Sequence, residues 1–348
     1  MTKKLLVIVG ITGNQGGSVA SAFLSSPHYR IRGLTRNPFS PAAQRLSSQG
    51  IEIVAADLDN PASLEKAFEG ASLIFSVTNY WEPFFRPDCR AKAEEKGISC
   101  REFAYEVEYR QGKNIADAAA KVAVGLDENG FIASTLSHAG KCSKGQYKEL
   151  YHFDSKADIF PDYVNEKHPE LAKKMSCVQT GYFTSSYKLA PKAYFNKAQA
   201  KMNCTKLQDG TFQMSFPTTP NKPVPHLSVN ADTGPFIYAV SQMPPGKSYM
   251  CEGTTCSWSD YMTLWSSITG QKAAYTQCSL QQFIDANPDK EFGREAGDMF
   301  AYSSEPGYDG GMEGLLRKED LRKAGVEIKM TSLREWMEGE DWSSIISQ

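Results

Sequence analysis

The sequence lacks any apolar run approaching the roughly 18–20 residues of a membrane-spanning helix, so no membrane span is expected. It has no C-x-x-C pair. Its eight cysteines are scattered, and the nearest two, Cys251 and Cys256, have four residues between them. Free thiols in a reducing compartment are therefore expected over a disulfide framework. An excess of positive charge is also missing. Lys and Arg total 38 against 40 Asp and Glu, and a pI near 6.3 leaves no basic footprint for direct nucleic-acid binding. Histidine is scarce, and the five present (His28, His138, His152, His168 and His226) show no ligand spacing, so no metal site is expected. No serine sits in a G-x-S-x-G elbow, which argues against a hydrolase triad. Repeats and low-complexity tracts are absent. The chain enters an apolar strand almost at once, so neither a signal nor a transit peptide is expected, and the Asn203-Cys204-Thr205 sequon is discounted accordingly. A cytoplasmic, or also nuclear, location is expected.

What is present begins with Lys3–Phe23. Leu5–Val9 is a continuous apolar run of the kind that forms a buried parallel strand. Gly10, Gly13, Gly16 and Gly17 follow, and Ser18–Leu24 has the small, apolar composition of a helix packed on a sheet. Strand, glycine turn and helix in this order are the context of a dinucleotide site. One glycine makes the turn, one lets the backbone approach a pyrophosphate, and one packs helix on strand. The free N–H groups at the helix start face the phosphates. A plain tight turn is the alternative. Tyr29–Thr35 is a second strand ending in Arg36-Asn37-Pro38, with no acid for a ribose 2′-hydroxyl and an arginine suited to a 2′-phosphate. Arg36 is otherwise a solvated surface residue.

The alternation continues. Ala42–Gly50 reads as a helix and Ile51–Ala55 as a third strand, followed by Asp57-Leu58-Asp59 and a helix over Pro61–Glu69. Asp57 is either an acceptor for an adenine amino group or an N-terminal helix cap. Ala71–Thr78 is a fourth strand, and Val77–Trp81 at its carboxyl end lies where ligands of such sheets sit. Phe84–Arg101 reads as a loop, either a lid or a surface insertion. Glu106–Val122 is an amphipathic helix, Gly130–Leu136 a fifth strand, and Tyr151–Lys156 opens a helix running towards Tyr163. Ser176–Thr180 is a sixth strand, ended by Gly181-Tyr182-Phe183. Beyond it the rhythm breaks. Polar, proline-rich Asp209–Pro225 carries short strands; Asp232–Met243, Trp258–Thr269, Leu280–Asn287, Phe292–Tyr302 and Leu333–Met337 read as helices. The fold class is α/β: a doubly wound parallel sheet over residues 1–183 with a smaller C-terminal α/β lobe over 184–348, parts of which return to the sheet.

The segments Gly10-Ile11-Thr12-Gly13-Asn14-Gln15-Gly16-Gly17-Ser18, Thr35-Arg36-Asn37-Pro38, Val77-Thr78-Asn79-Tyr80-Trp81-Glu82 and His152-Phe153-Asp154-Ser155-Lys156 together resemble the NmrA-like family. This is an atypical branch of the extended short-chain dehydrogenase/reductases. The likeness is closest to its NADPH-sensing members and fungal NmrA-type oxidoreductases. The resemblance implies a Rossmann domain binding NADP(H), with Gly10, Thr12, Gly13, Asn14, Gln15, Gly16, Arg36, Asp57, Thr78, Asn79, Tyr80, Lys156 and Tyr182 as cofactor contacts. It implies one of two activities: a reductase of a small organic metabolite, as in specialised metabolism, or a redox sensor acting through a protein partner such as a transcription factor. The long Phe84–Arg101 segment, and Thr184-Ser185-Ser186 where asparagine is frequent in the family, depart from the pattern near the substrate side.

Short-chain dehydrogenases use a tyrosine acid with a lysine four residues on, so that both share a helix face. Lys156 fills the lysine slot, but His152 stands in the tyrosine's place, and Tyr151 is about 100° round the helix. His152 is a candidate proton donor, with Tyr151 and Tyr80 behind it, or else a packed histidine. Lys156 is a candidate catalytic and ribose-holding residue, or else a surface lysine. Ser134 and Thr135 end the fifth strand, where a hydroxyl could polarise a carbonyl.

Overall fold

A computed structural model describes residues 3–189, 191–197 and 210–347. The Asn203–Thr205 sequon lies outside the described residues. Seven strands form one sheet: β1 (Lys4–Ile8), β2 (Tyr29–Thr35), β3 (Glu52–Ala55), β4 (Leu73–Ser76), β5 (Phe131–Thr135), β6 (Met175–Thr180) and β7 (Ser248–Cys251). Their order is β7-β6-β5-β4-β1-β2-β3, and every pairing is parallel. The apolar runs account for this. β1, β4, β5 and β6 are buried along almost their whole length because helices cover both faces. On one face Asn14–Leu24 packs against Val229–Val240, enclosing Leu6, Val19, Phe23 and Phe236. On the other, Pro61–Phe68 and Cys100–Val122 enclose Val7, Ile74, Phe68 and Ile115. The strand order reverses between β1 and β4, and the crevice there opens at the carboxyl ends of the strands.

Phe84–Arg101 is not a loop. Short helices run over Trp81–Phe85 and Pro87–Lys96, and the long helix begins at Cys100 rather than Glu106. The signals were local: Pro87 sits at the first helical turn, Gly97 ends that helix in the left-handed region (φ 69°), and the Ser99 hydroxyl accepts from the Glu102 N–H to start the next. Mixed charge and only two buried residues, Cys89 and Ala93, concealed the period. The helix from Tyr151 ends at Ala157 as regular α structure; Phe160, which precedes Pro161, is extended (φ −123°, ψ 100°), as the proline ring requires.

The remaining chain builds a lobe around an aromatic core. Phe212–Phe216 pairs with Ala273–Gln277 and Asn196–Lys197, while Val224–Leu227 joins Thr254–Cys256 to Tyr182–Phe183. Trp258, Trp265, Phe216 and Phe300 fill the space between them, with the Phe216 and Phe300 rings stacked at 3.9 Å. Capping boxes at Ser257/Asp260, Ser279/Gln282 and Ser332/Glu335 start three of its helices. The seven described cysteines are free thiols.

Candidate functional site

The glycine loop joins β1 to the Asn14–Leu24 helix. Gly10 takes φ 67°, the left-handed turn that favours glycine. A Cβ on Gly16 would stand 2.2 Å from the Gly10 carbonyl oxygen, so Gly16 is the residue that lets helix and turn touch. Gly13 is the N-cap residue and offers no side-chain cap, which leaves the first-turn N–H groups of the helix to a ligand or to water. Thr12, Gly13 and Asn14 are exposed there. Gln15 turns inward, and its Oε1 accepts from the Ser134 hydroxyl at 2.8 Å, tying the loop to the end of β5. Thr135 instead donates to the Phe160 carbonyl and is buried.

Arg36 projects from the end of β2, 60% exposed, and donates to Glu82 Oε1 at 2.9 Å. Glu82 belongs to the segment after β4, so this ion pair spans the crevice between two strand ends. Asp57 is exposed at the end of β3. It is not the helix cap: Asn60 is, accepting from the Ser63 N–H. The Asp57 carboxylate only accepts from the Asp59 N–H, which leaves it free for a ligand. Thr78 is buried, and the exposed Asn79 accepts from the Trp81 N–H.

Two expected side-chain contacts lie elsewhere. Tyr80 is wholly buried beneath the long helix and donates to the Arg101 carbonyl at 3.1 Å. Burial, and then the charge of Glu295, push its hydroxyl well above the usual tyrosine range. Tyr182 is buried in the aromatic core of the lobe against Trp258 and Phe300. Tyr151 faces a cleft of about 340 Å³ shared with Tyr105, His138, Lys148 and Asp158, which His152 does not line.

His152 and Lys156 do share a helix face, but each has a buried carboxylate as its partner. Lys156 Nζ lies 2.6 Å from Glu108 Oε1, and the Ser155 hydroxyl donates to Glu108 Oε2. His152 Nδ1 lies 2.6 Å from Glu295 Oε1, and the Tyr80 and Trp81 rings flank the imidazole at 5.7 and 5.0 Å. Arg101 reaches Glu291, Glu149 and Glu295 at 3.2, 3.4 and 3.6 Å. Burial alone would disfavour its charge, but Glu295 and Glu291 outweigh that and hold it above its ordinary pKa.

Sequence reasoning missed Arg101, Glu108 and Glu295. The signal was present. Ala104, Val107, Gln111 and Ile115 form the buried stripe of the long helix, and Glu108 falls on it; Glu295 falls on the stripe of Ala296, Met299 and Phe300. A charged residue on an apolar stripe marks a buried partner.

The structure also brings possible ligand atoms of His138, Asp158 and Asp162 within 4.8 Å of one another, although the chain shows no ligand spacing. The Lys141 ammonium already takes the cation's place, pairing with Asp162 and lying 3.9 Å from Asp158. His138 lies 3.1 Å from both Asp154 and Asp158; burial opposes its charge, but the two carboxylates raise it to about 9.

Sheet order, glycine turn and uncapped helix define a Rossmann-type architecture. The chain belongs to the NmrA-like family, which it matches over residues 2–338. It is 27% identical to the NmrA-like family domain-containing oxidoreductase cpsB of Aspergillus campestris over 96% of both chains. It is 41% identical to the oxidoreductase hkm9 of Aspergillus hancockii over 123 residues, 35% of this chain and 32% of that protein. Among solved structures it is similar in fold to NmrA, a negative transcriptional regulator, in complex with NADP (TM-score 0.65, 19% identity, 97% and 95% of the chains). It is likewise similar to the NADPH-dependent quinone oxidoreductase QOR2 of Escherichia coli complexed with NADPH (TM-score 0.63, 17% identity, 95% and 98%).

Proposed function

We propose that this chain is an NADP(H)-dependent oxidoreductase acting on a small organic metabolite. The observation that carries the reading is the uncapped, glycine-lined helix start at the carboxyl end of β1, with His152 packed against Tyr80 and Trp81 just beyond β4. The residues fit the dinucleotide. A Cβ at Gly13 would meet only the Gly10 carbonyl oxygen, at 3.3 Å, and would otherwise project into the space that a pyrophosphate needs. The first-turn N–H groups and the helix dipole favour the phosphates. Arg36 has only an exposed ion pair to give up for a 2′-phosphate, and Asp57 is open to an adenine amino group. The solved neighbours carrying NADP or NADPH, and the relatives named oxidoreductases, support the same reading.

Bound there, the reduced cofactor would supply a hydride to an electron-poor carbon. The chain's own part is to hold the dinucleotide, orient the acceptor and deliver a proton, for which His152 replaces the tyrosine of related enzymes. Lys156 is placed by Glu108 beside the His152 carbonyl, at 3.3 Å, as the positive charge on that face. The second reading, a redox sensor working through a protein partner, draws on the aromatic cover of His152, which is only 5% exposed.

The test joins binding to turnover. Calorimetric titration with NADPH should give a clear isotherm that Gly13→Val abolishes. NADPH absorbance should then fall with one or more members of a panel of aldehydes, quinones, enones and imines, and His152→Phe should slow that rate by ~10²–10⁴, the range of acid–base catalysis. Binding without turnover, together with a partner whose affinity differs between NADP+ and NADPH, overturns the reductase in favour of the sensor.

A further inference from the structure

A carboxylate on a buried helix face is costly unless its charge is met. Glu295 is wholly buried on the Lys290–Tyr302 helix. Its Oε1 accepts twice from one residue, from the His152 backbone N–H at 2.8 Å and from ring Nδ1 at 2.6 Å. A carboxylate oxygen only accepts, so the hydrogen between them sits on Nδ1. Glu295 Oε2 makes no hydrogen bond, and Arg101 Nη1, 3.6 Å away, supplies its counter-charge. The opposite edge of the imidazole is different: Nε2 has no hydrogen-bond partner among the described residues and is not among the fully enclosed polar atoms that lack one. The ring is gripped at one nitrogen, flanked by Tyr80 and Trp81, and has no protein hydrogen bond at the other nitrogen among the described residues.

We propose that Glu295 is a positioning residue, which fixes His152 in the Nδ1–H tautomer and leaves Nε2 to exchange the proton with substrate. The proposal rests on the reductase reading. In a carbonyl reduction the substrate carbon gains the hydride and the C=O π pair moves to oxygen. The Nε2–H bond breaks as its proton forms the new O–H bond, and His152 is left neutral with its hydrogen on Nδ1. In the reverse direction Nε2 takes the alcohol proton. This geometry selects substrates whose oxygen gains charge as the hydride arrives: aldehydes, ketones and quinones. It offers nothing to a substrate that needs no proton.

Two readouts test it. Glu295→Gln keeps the shape but can present an amide N–H to Nδ1 and so favour the other tautomer. Its kcat should fall about tenfold or more, within the ~10²–10⁴ that acid–base catalysis supplies, with KM little changed. Glu295→Asp, which keeps the acceptor, should recover much of that kcat. The second readout needs no turnover. In the 15N spectrum of the histidine-labelled parent protein, the His152 signals, assigned by their loss in His152→Phe, should show the ring proton of the neutral imidazole on Nδ1. A Glu295→Gln enzyme with unchanged kcat, or a neutral His152 carrying its proton on Nε2, overturns the proposal and leaves the reductase standing. If no substrate is turned over and a partner distinguishes NADP+ from NADPH, the reductase reading fails, and the tautomer alone decides whether Glu295 holds the ring as described.

Discussion

Arg36 and Glu82 pair across the crevice, and on the proposed reading a 2′-phosphate would have to displace that ion pair. An exposed ion pair is worth about 0–1 kcal/mol, whereas a charge-assisted hydrogen bond to phosphate is worth about 1.5–3 kcal/mol. The phosphate therefore wins, but against a competitor. Arg36→Ala should lose most of an about 10- to 150-fold preference for NADPH over NADH and leave NADH binding nearly unchanged. Glu82→Gln should act in the opposite sense and tighten NADPH by up to about fivefold without changing NADH. Calorimetry with both cofactors reads both variants; equal weakening of NADPH and NADH in Arg36→Ala would make the arginine structural. Arg36 could be singled out because a strand end without an acid is a local pattern. Glu82 was not, because its partner lies 46 residues away and only the fold makes β2 and β4 neighbours of β1. The same holds for Tyr80 and Tyr182: which way a strand-end side chain turns depends on what packs over it.

Elements whose signals are local were read almost to the residue. Tyr29–Thr35 and Trp258–Thr269 coincide with the segments marked in the sequence. β7 went unnoticed, since four residues at the sheet edge carry no period and owe their strand to β6 and to a bridge with Leu316. One helix pair also depends on a contact the sequence could not signal. Gly234 donates its N–H to the Ser18 hydroxyl at 2.8 Å, and a Cβ there would lie 2.0 Å from the Ser18 carbonyl oxygen. Backbone meets backbone, so no rotamer change relieves the clash. Gly234→Ala should destabilise the protein by about 2 kcal/mol or more despite an intrinsic helix-propensity gain of ~1 kcal/mol. Gly17→Ala, in the facing helix, has its nearest neighbour at 3.7 Å and should be neutral or stabilising by up to ~1 kcal/mol. Urea midpoints compare the two; equal midpoints would mean that the Val229–Val240 helix is not held at this distance.

At the scale of the whole molecule two histidines in different parts of the fold bracket its stability against pH. The loop after β5 holds His138 between two carboxylates, where its pKa rises from 6.5 to about 9. Its contribution is complete below pH 6.5 and disappears as pH climbs through 9, because only the folded state keeps the proton in that interval. His226 is the reverse case. Buried in the lobe against Trp258 and Tyr261, with Nε2 unpartnered, it falls by burial to about 4. The unfolded chain then takes up a proton that the fold refuses, so stability declines as pH drops from 6.5 towards 4. A tenfold change in proton affinity is worth about 1.4 kcal/mol, which gives on the order of 3 kcal/mol for fully enclosed His226. His138 stands partly in water, and screening leaves its share at about 1–2 kcal/mol. Urea unfolding at pH 4.5, 6.5 and 9 should find the maximum near 6.5. His138→Gln should flatten the alkaline side, and by freeing Asp158 it should also soften the acid side, whereas His226→Leu should flatten the acid side alone. A parent protein as stable at pH 9 as at 6.5 would mean that the carboxylates around His138 hold no imidazolium. An acid limb unchanged in His226→Leu would assign the acid loss to the paired carboxylates instead, of which Asp158 is one: burial opposes its ionisation, but His138 and Tyr105 hold its pKa below the usual range.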